Sequence, residues 1–333
     1  MTHLRAVPGA DSSGPCPTRS CGGATTVRVE APGKINLFLS AGAPGADGYH
    51  PLTTVFQAVR LIETVTARSQ SRAARGSITL TLENGPQEDA AVPTDSSNLA
   101  VRAARLLAET TGVTDGVDLT IRKRVPVAGG MAGGSADAAA TLTACNILWG
   151  ADLGPDELGD LAARLGADVP FPLLGATAVG HGRGDRLTPL MTRGRYLWVL
   201  AFAARGGLST PAVFSRFDEL AAASSGGGAA PADVPEEMTA ALRAGNARAL
   251  AAALHNDLQG AAVSLRPELA EVIGIAEASG ALRAIVSGSG PTVAALVPDA
   301  ASATRVTRAL TASALVGGTA RVDAPVAGAR AVG

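Results

Sequence analysis

The sequence predicts an α+β protein of two domains, and three observations lead to this prediction. The chain has 333 residues, of which 47% are hydrophobic, so it can bury a sizeable core. Segments with the two-residue period of strands and segments with helical periodicity occur in both halves of the chain. A glycine-rich stretch at residues 126–140 begins as a loop and continues as a helix. We therefore expect an N-terminal domain over residues 26–190 and a C-terminal domain over residues 191–333.

The N-terminal domain follows residues 1–25, whose Gly, Pro, Ser and Thr content predicts a disordered leader. Strands are predicted at residues 27–31, 35–40, 55–59, 77–82, 117–121 and 177–180, with a break at Pro32-Gly33. Helices are predicted at residues 98–109, 138–149 and 155–165, the last ending before Gly166. If the second strand is regular, Lys34, Asn36 and Phe38 share one of its faces.

The C-terminal domain has strand patterns at residues 196–202, 283–287, 292–297 and 319–322. Helices are predicted at residues 235–244, 247–258, 267–278 and 301–312. This order predicts one sheet with helices on one face. Residues 224–228 are expected to form a flexible loop. The glycine-rich turn at residues 287–291 is expected to face the loop of the glycine-rich stretch at residues 126–140, which we call the central loop.

The central loop is a candidate phosphate site. Gly129, Gly130, Gly133 and Gly134 permit backbone conformations closed to other residues and let a ligand approach the main chain. The N–H groups of the loop and of the first helical turn would point at one spot, where the helix dipole favours an anion. No Lys directly precedes Ser135, so this is not the usual P-loop. A flexible turn without a ligand is the alternative.

Composition and charge exclude several classes of partner. The formal net charge is −1 and only 3% of residues are aromatic, which argues against nucleic-acid and membrane surfaces. The one tight basic cluster, residues 122–124, is as well explained as a solvated strand end. No apolar run is long enough to cross a bilayer and no signal peptide is recognisable, so a cytoplasmic location is expected. The three cysteines form neither a disulfide framework nor a zinc pattern.

The choice of basic residues singles out two positions. Of the 28 lysines and arginines, only Lys34 and Lys123 are lysines. A chain so rich in arginine that keeps a lysine at position 34 is consistent with a need for a compact point charge there.

Three separated segments, residues 32–37, 126–140 and 288–292, resemble the three motifs of the GHMP small-molecule kinases. Further segments at residues 47–52, 166–171, 182–189, 209–211 and 256–258 resemble one branch of that family. Its members phosphorylate a cytidine-diphosphate-linked methylerythritol in non-mevalonate isoprenoid precursor synthesis. The resemblance implies an N-terminal α/β domain with a left-handed crossover, a C-terminal ferredoxin-like domain, and a site between them.

The same resemblance implies transfer of the γ-phosphate of ATP, with Mg²⁺ present, to the 2-hydroxyl of this small-molecule substrate. It assigns catalysis to Lys34 and Asp168, with Asp168 as the base. The residues implied in ATP binding are Ala128, Gly129, Gly130, Met131, Ala132, Gly133, Gly134, Ser135 and, as an adenine-side contact or equally as a helix N-cap, Asn98. Those implied in substrate binding are Asn36, Tyr49, His50, Thr210 and Phe214, with Tyr49 and Phe214 stacking on the cytidine from opposite sides and His50 hydrogen-bonding to it.

The central loop departs from the family pattern, which has glycines at positions 128 and 132, leucine at 131 and serine at 136. Alanine at position 136 leaves Ser135 as the hydroxyl available to a phosphate or metal. The sequence assigns neither metal ligands nor an oligomeric state.

Two other functions remain open at this point. A GHMP kinase for homoserine or mevalonate would keep the loop, but it has no reason to keep Tyr49-His50 together with residues 166–171. A nucleotide-binding protein without catalysis would explain the alanines of the loop, but it needs neither Lys34 nor Asp168.

Overall fold

The computed structural model describes residues 25–70, 76–83, 92–223 and 230–333. The predicted leader lies outside these residues except for Thr25, and so does the loop predicted at residues 224–228. The strands are β1 (Thr26–Ala41), β2 (Leu52–Ser69), β3 (Ile78–Glu83), β4 (Val117–Arg122), β5 (Thr177–Gly182), β6 (Arg186–Pro189), β7 (Tyr196–Ala203), β8 (His255–Asn256), β9 (Arg283–Val286), β10 (Val293–Val297), β11 (Val316–Ala324) and β12 (Arg330–Ala331). The helices are α1 (Leu99–Thr111), α2 (Gly133–Trp149), α3 (Pro155–Leu165), α4 (Pro170–Leu174), α5 (Thr210–Ala223), α6 (Glu236–Ala244), α7 (Ala247–Ala253), α8 (Gln259–Leu265), α9 (Glu268–Ala278) and α10 (Ala300–Thr311).

The first sheet is built on the long strands β1 and β2. Its order is β12-β1-β2-β4-β3, with β5 and β8 paired to β2 and β1 and with β6 paired to β5. Helices α1 and α2 bury their apolar sides against it, and α3 packs on these two helices. The buried cluster joins Leu119 of β4 to Leu107 and Leu142 of the helices. Burial of these side chains, each worth about 1.5–3 kcal/mol, fixes α2 and the loop before it on the sheet.

Strand β1 corrects the predicted break at Pro32-Gly33. The strand is continuous, and only its register with β2 shifts between these two residues, as at a β-bulge. The extra residues at this shift lie in β2, so β1 continues through Pro32-Gly33 to the residues near the central loop.

A second register shift corrects the expected placement of Phe38. Asn36 pairs with Phe56, whereas Phe38 pairs with Val55. Neighbouring residues of a strand point to opposite faces, so Phe38 lies on the face opposite Asn36. The prediction that Lys34, Asn36 and Phe38 share a face is therefore wrong for Phe38.

The second sheet is antiparallel and has the order β11-β7-β10-β9. Strands and helices follow one another here as β7, helices, β9, β10, α10 and β11, which is the βαββαβ order of a ferredoxin-like domain. One face packs on helices that include α9 and α10. The other face packs on α6, α7 and strand β1, through Trp198, Leu242 and Ile35 among others. The prediction that helices cover one face only is wrong, because α6 and α7 also pack on the second face, where the second sheet meets β1 of the first sheet.

Two helical predictions change. The helix predicted at residues 247–258 ends at Ala253, and residues 255–256 then form β8, which pairs in parallel with β1. Helix α5 was not predicted from the sequence, although Pro211 stands in its first turn, where proline is well tolerated. Within the described residues, no helix is long and apolar enough to cross a membrane.

Candidate active site

Lys34 lies at the centre of the candidate site. Its side chain is buried, and its Nζ donates to Asn36 Oδ1 at 2.8 Å and to the carbonyl of Gly130 at 2.9 Å. Asn36 is held in turn by donating to Thr54 Oγ1 at 2.8 Å. Burial lowers the pKa of Lys34, and the negative charge of Asp168 opposes this shift. The lysine is thus anchored to neutral acceptors, and its charge is only weakly compensated.

Asp168 follows α3 and precedes α4, and its side chain is half-buried. It is close enough to Lys34 to raise the pKa of the lysine, but the two do not form a direct ion pair in the described part of the chain. The sequence predicted that these residues, 134 positions apart, belong to one site, and the structure brings them together.

The central loop lies between β4 and α2 and contacts the second sheet. A Cβ on Gly130 would overlap the carbonyl oxygen of Ser287, so only glycine fits there. Ser287 Oγ donates to the carbonyl of Gly130 at 3.1 Å, and Thr292 N donates to the carbonyl of Gly129 at 3.3 Å. The predicted approach of the 287–291 turn to the loop is confirmed by these bonds.

Two alanines of the loop have left-handed backbones, Ala128 with φ 52° and Ala132 with φ 58°. Ala132 is also the N-cap of α2, and Lys34 N donates to the carbonyl of its neighbour Met131 at 3.1 Å. Left-handed backbone costs an L-residue about 1–2 kcal/mol, which packing around the loop must offset. The loop therefore keeps a glycine-like shape at two positions without glycine.

The first turn of α2 presents Ser135. This side chain is half-buried, whereas Ala136 is fully buried in the first core. The side chain at position 136 therefore lies in the core. Alanine in place of the family's serine at this position removes no exposed hydroxyl from the loop. Gly133 and Gly134 begin the helix, whose N-terminus carries the positive end of the dipole.

Asn98 is the N-cap of α1. Its Oδ1 accepts from Ala100 N at 2.8 Å, and its Nδ2 donates to the carbonyl of Pro93 at 2.7 Å. Of the two interpretations left open by the sequence, the N-cap is confirmed. Both ends of the amide are engaged in this cap.

A second group of residues, which we call the aromatic pocket, consists of Tyr49, His50 and Phe214. Tyr49 is 56% exposed, and the guanidinium of Arg183 lies 3.8 Å over its ring centroid. His50 is buried, and Phe214 stacks on it with ring centroids 4.7 Å apart. Phe214 thus packs on the imidazole of His50, and the stacking of Tyr49 and Phe214 on a cytidine stays a prediction. Thr210 Oγ1 lies 2.9 Å from Ser289 Oγ, next to the turn below the central loop.

Sequence reasoning missed one charged cluster beside the loop. Lys123 Nζ lies 2.8 Å from Glu63 Oε1 and 2.6 Å from Asp137 Oδ2. Both carboxylates are buried, and Glu63 also accepts from Arg124 N and Val125 N at 3.0 Å each. The interpretation of residues 122–124 as a solvated strand end is wrong for Lys123, because Glu63 reaches it from the neighbouring strand β2. The scarcity of lysine was the one signal that could have indicated it.

The charged cluster has more acid than base. Burial raises the pKa of Glu63 to about 7, with Asp137 adding to the rise and Lys123 opposing it. Burial also raises the pKa of Asp137, whose Oδ1 has no hydrogen-bond partner among the residues that the structure describes. The cluster joins the residues before the central loop to the helix after it, and so it holds both ends of the loop.

Among the described residues, no group of three or more His, Cys, Asp or Glu side chains is placed to hold a metal ion.

Comparison with known proteins gives consistent results along the chain. Residues 98–176 match the GHMP kinases N terminal domain, and residues 238–315 match the GHMP kinases C terminal domain. The 4-diphosphocytidyl-2-C-methyl-D-erythritol kinase of Leifsonia xyli is 51% identical over 91% of this chain and 98% of its own length. The enzyme of the same name from Thermobifida fusca is 48% identical over 92% of this chain and 99% of its own length.

Solved structures agree. A crystal structure of 4-(cytidine 5'-diphospho)-2C-methyl-D-erythritol kinase is 33% identical, with a TM-score of 0.72 over 90% of this chain and 99% of that one. A homoserine kinase from Cytophaga hutchinsonii has a TM-score of 0.66 over 93% of this chain and 98% of its own, but only 18% identity. The second similarity concerns the fold alone, and together the two confirm the predicted two-domain α+β fold.

Proposed function

This chain belongs to the 4-diphosphocytidyl-2-C-methyl-D-erythritol kinases, a family of GHMP phosphotransferases that use ATP, and we propose on that premise how its residues act. The reaction is transfer of the ATP γ-phosphate to the 2-hydroxyl of 4-diphosphocytidyl-2-C-methyl-D-erythritol. The observation that carries the assignment of roles is the position of buried Lys34, bound to the carbonyl of Gly130 and within electrostatic reach of Asp168.

The central loop and the first turn of α2 are proposed to hold the triphosphate. Main-chain N–H groups and the helix dipole favour an anion there, and Ser135 adds a hydroxyl. Lys34 reaches this loop through Gly130, so its ammonium lies beside the bound phosphates. A desolvated cation stabilises the charge of a transferring phosphoryl group more strongly than a hydrated one.

Asp168 is proposed to accept the proton of the substrate hydroxyl. A base must lie within hydrogen-bond reach of that proton, and Asp168 is the carboxylate whose charge acts on Lys34. Lys34 then orients the acceptor oxygen while Asp168 takes its proton. Asn36, which is hydrogen-bonded to Lys34, is proposed to contact the methylerythritol part.

Mg²⁺ is proposed to enter with ATP, since the described residues offer no cluster of metal ligands of their own. When bound to the phosphates, the ion neutralises part of their charge. Ser135 is the nearest hydroxyl of the first turn to such a complex.

The aromatic pocket is proposed to receive the cytidine. The exposed ring of Tyr49 offers a stacking surface, and Phe214, which stacks on His50, is proposed to contact the base from the other side. Thr210 lies between this pocket and the central loop, next to Ser289, and suits a contact with the linking part of the substrate.

The test is a coupled assay of ADP release with Mg²⁺, ATP and one acceptor at a time. We expect turnover with the cytidyl methylerythritol compound and none with homoserine or mevalonate. Asp168→Ala should lower turnover by about 100-fold or more, the order lost with a general base. Asp160→Ala, an exposed carboxylate on α3, is the matched control and should turn over as the parent does. Turnover with homoserine or mevalonate instead would reassign the substrate. ATP binding without turnover on any acceptor would favour the non-catalytic alternative.

A further inference from the structure

Asn256, in the short strand β8, holds the end of β9 and the turn that follows it. Its side chain is buried, and its Nδ2 donates to the carbonyl oxygens of Val286 and Gly288, each at 2.8 Å. Its Oδ1 accepts from Leu258 N at 3.0 Å, which fixes the orientation of the amide. The amide has two N–H donors, and both are used by this segment of main chain. The proposed function gives Asn256 no role.

The turn lies directly against Lys34. A Cβ on Gly288 would lie 3.2 Å from both Lys34 Nζ and Asn36 Oδ1. Ser287 Oγ donates to the carbonyl of Gly130, which also accepts from Lys34 Nζ. The main chain of the turn thus forms one wall around the ammonium, and a shift of the turn would move the ammonium or leave it loosely held.

Strand β8 is fixed on β1, the strand of the buried lysine. The two pair in parallel, and Asp257 N donates to the carbonyl of Leu39 at 2.9 Å. The carboxylate of Asp257 accepts from Ser40 Oγ at 2.8 Å and from Ala41 N at 2.9 Å. Asn256 therefore has a fixed position relative to β1, and its amide transmits this position to the turn.

We propose that Asn256 is a positioning residue for the phosphoryl transfer, because by holding the carbonyl of Gly288 it sets the place of the turn and thereby of the Lys34 ammonium. The inference rests on the proposed function, which assigns Lys34 its role beside the transferring phosphate. A misplacement of a catalytic group by about 1 Å costs about 100-fold in rate. Loss of the two amide donors should therefore lower turnover, while the binding of both substrates, which involves many other groups, changes little.

The experiment compares steady-state kinetics of the full chain and its variants with Mg²⁺, ATP and the cytidyl methylerythritol substrate. Asn256→Asp keeps the size and the acceptor of the side chain, but it places a carboxylate oxygen against two carbonyls. We expect kcat to fall by about 10- to 100-fold, with KM for each substrate within about threefold of the parent value. Asn256→Ser adds no charge and keeps one donor, so it should lose about 3- to 10-fold in kcat.

Asn146→Asp is the matched control for a structural role. Asn146 Nδ2 donates to the carbonyl of Leu153 at 3.0 Å, and its Oδ1 accepts from Leu153 N at 3.0 Å. This amide lies near the end of α2 that is remote from the central loop. The same chemical change there should lower the thermal midpoint, and kcat should stay within about twofold of the parent value.

A double-variant cycle shows whether Asn256 acts through Lys34. If it does, Asn256→Asp should lower kcat by less than about threefold in the Lys34→Met background, because the group that it positions is already gone. A separate structural effect would lower kcat by the same factor in both backgrounds.

A parental kcat in folded Asn256→Asp or Asn256→Ser would overturn the proposal, and so would equal losses in the two backgrounds of the cycle. Failure of both variants to fold where Asn146→Asp is folded would also overturn it, since Asn256 would then support the fold as a whole. These results leave the proposed function intact if the parent turns over the cytidyl substrate. A parent without turnover would overturn the proposed function and this inference together.

Discussion

The two lysines of the chain are both largely buried, both lie beside the central loop, and have opposite surroundings. Lys34 donates to an amide oxygen and a backbone carbonyl, whereas Lys123 lies between two carboxylates. Burial lowers the pKa of Lys34, and only Asp168 opposes it. Burial also disfavours the charge of Lys123, but the attraction of Asp137 and Glu63 outweighs it, and the pKa of Lys123 is raised.

The partners of the two lysines indicate which of them is available to a ligand. The charge of Lys123 is more than balanced within the protein, so it has little attraction left for an anion and acts as a structural link. Within the described part of the chain, buried Lys34 has no carboxylate in direct contact. We propose that its charge attracts an anion such as a phosphate to the loop. The surroundings of the two lysines thus indicate a structural role for Lys123 and support the proposed catalytic role of Lys34.

The largest expected effect comes from exchanging each lysine for methionine. Lys123→Met leaves Glu63 and Asp137 buried without a cation, and we expect the free energy of unfolding to fall by about 3–5 kcal/mol. Lys34→Met should change it by less than about 1 kcal/mol, because two lost hydrogen bonds are offset by relief of a poorly compensated charge. Urea denaturation followed by circular dichroism measures both. Equal losses in the two variants would contradict the comparison.

Activity should show the reverse order. Lys34→Met is expected to lower turnover by about 100-fold or more, as for a lost charge at a transferring phosphoryl group. Lys34→Arg should not restore it, since the planar guanidinium cannot make the same point contacts in that space. Lys123→Met, assayed at a temperature where it is folded, should lose much less. A larger loss of turnover in Lys123→Met than in Lys34→Met would contradict the proposed role of Lys34, because it would indicate that Lys123 supplies the charge used in catalysis.

The next effect is the fall of stability between pH 4.5 and 7, which we expect from the charged cluster around Lys123. The pKa of Glu63 is raised from 4.5 to about 7 in the folded protein, so between these pH values the folded state holds a proton that the unfolded chain has released. The stabilisation is complete below pH 4.5 and is lost as pH rises through about 7. Asp137→Asn leaves one carboxylate for one lysine.

We expect this variant to flatten the fall in unfolding free energy between pH 4.5 and 7 by about 1–3 kcal/mol. Denaturation curves at four or more pH values, compared with those of Lys34→Met, provide the measurement. If the unfolding free energy of Asp137→Asn falls with pH as steeply as that of the parent, or if the fall is flattened in Lys34→Met, the pH dependence does not come from the cluster of Lys123, Glu63 and Asp137.

The sequence predicted a functional position for Lys34, but it did not predict the burial of Lys123. Lys34 was identified because the motif around it resembles a known one, and its partner Asp168 came with the same resemblance. The burial of Lys123 depends on Glu63, which lies 60 positions away and reaches it only when β2 pairs with β4. Local patterns carry no information about such pairing.

The folded arrangement of the other site residues was predictable to different degrees. Asn98 was expected at a helix start, because capping is a local property. The face of Phe38 was not, since a single bulge in β1 reverses it and leaves no mark in the alternation of residues. Helix α5 was missed, and its register on His50 depends on contacts between distant segments.

The smallest expected effect concerns the loop that holds Lys34. Ala132 adopts φ 58° and precedes Gly133, and its neighbour Met131 accepts from the main chain of Lys34. Glycine avoids the left-handed penalty but adds backbone entropy to the unfolded chain, so Ala132→Gly should stabilise the protein by about 0.5–1 kcal/mol. Ala136→Gly, four residues later in α2 and fully buried, should destabilise it by about 1 kcal/mol or more. Thermal midpoints of the two variants should move in opposite directions. A fall of the thermal midpoint in both variants would show that the left-handed backbone of Ala132 does not destabilise the protein. The position of Lys34 would then depend on contacts with the second sheet and not on the backbone of the loop.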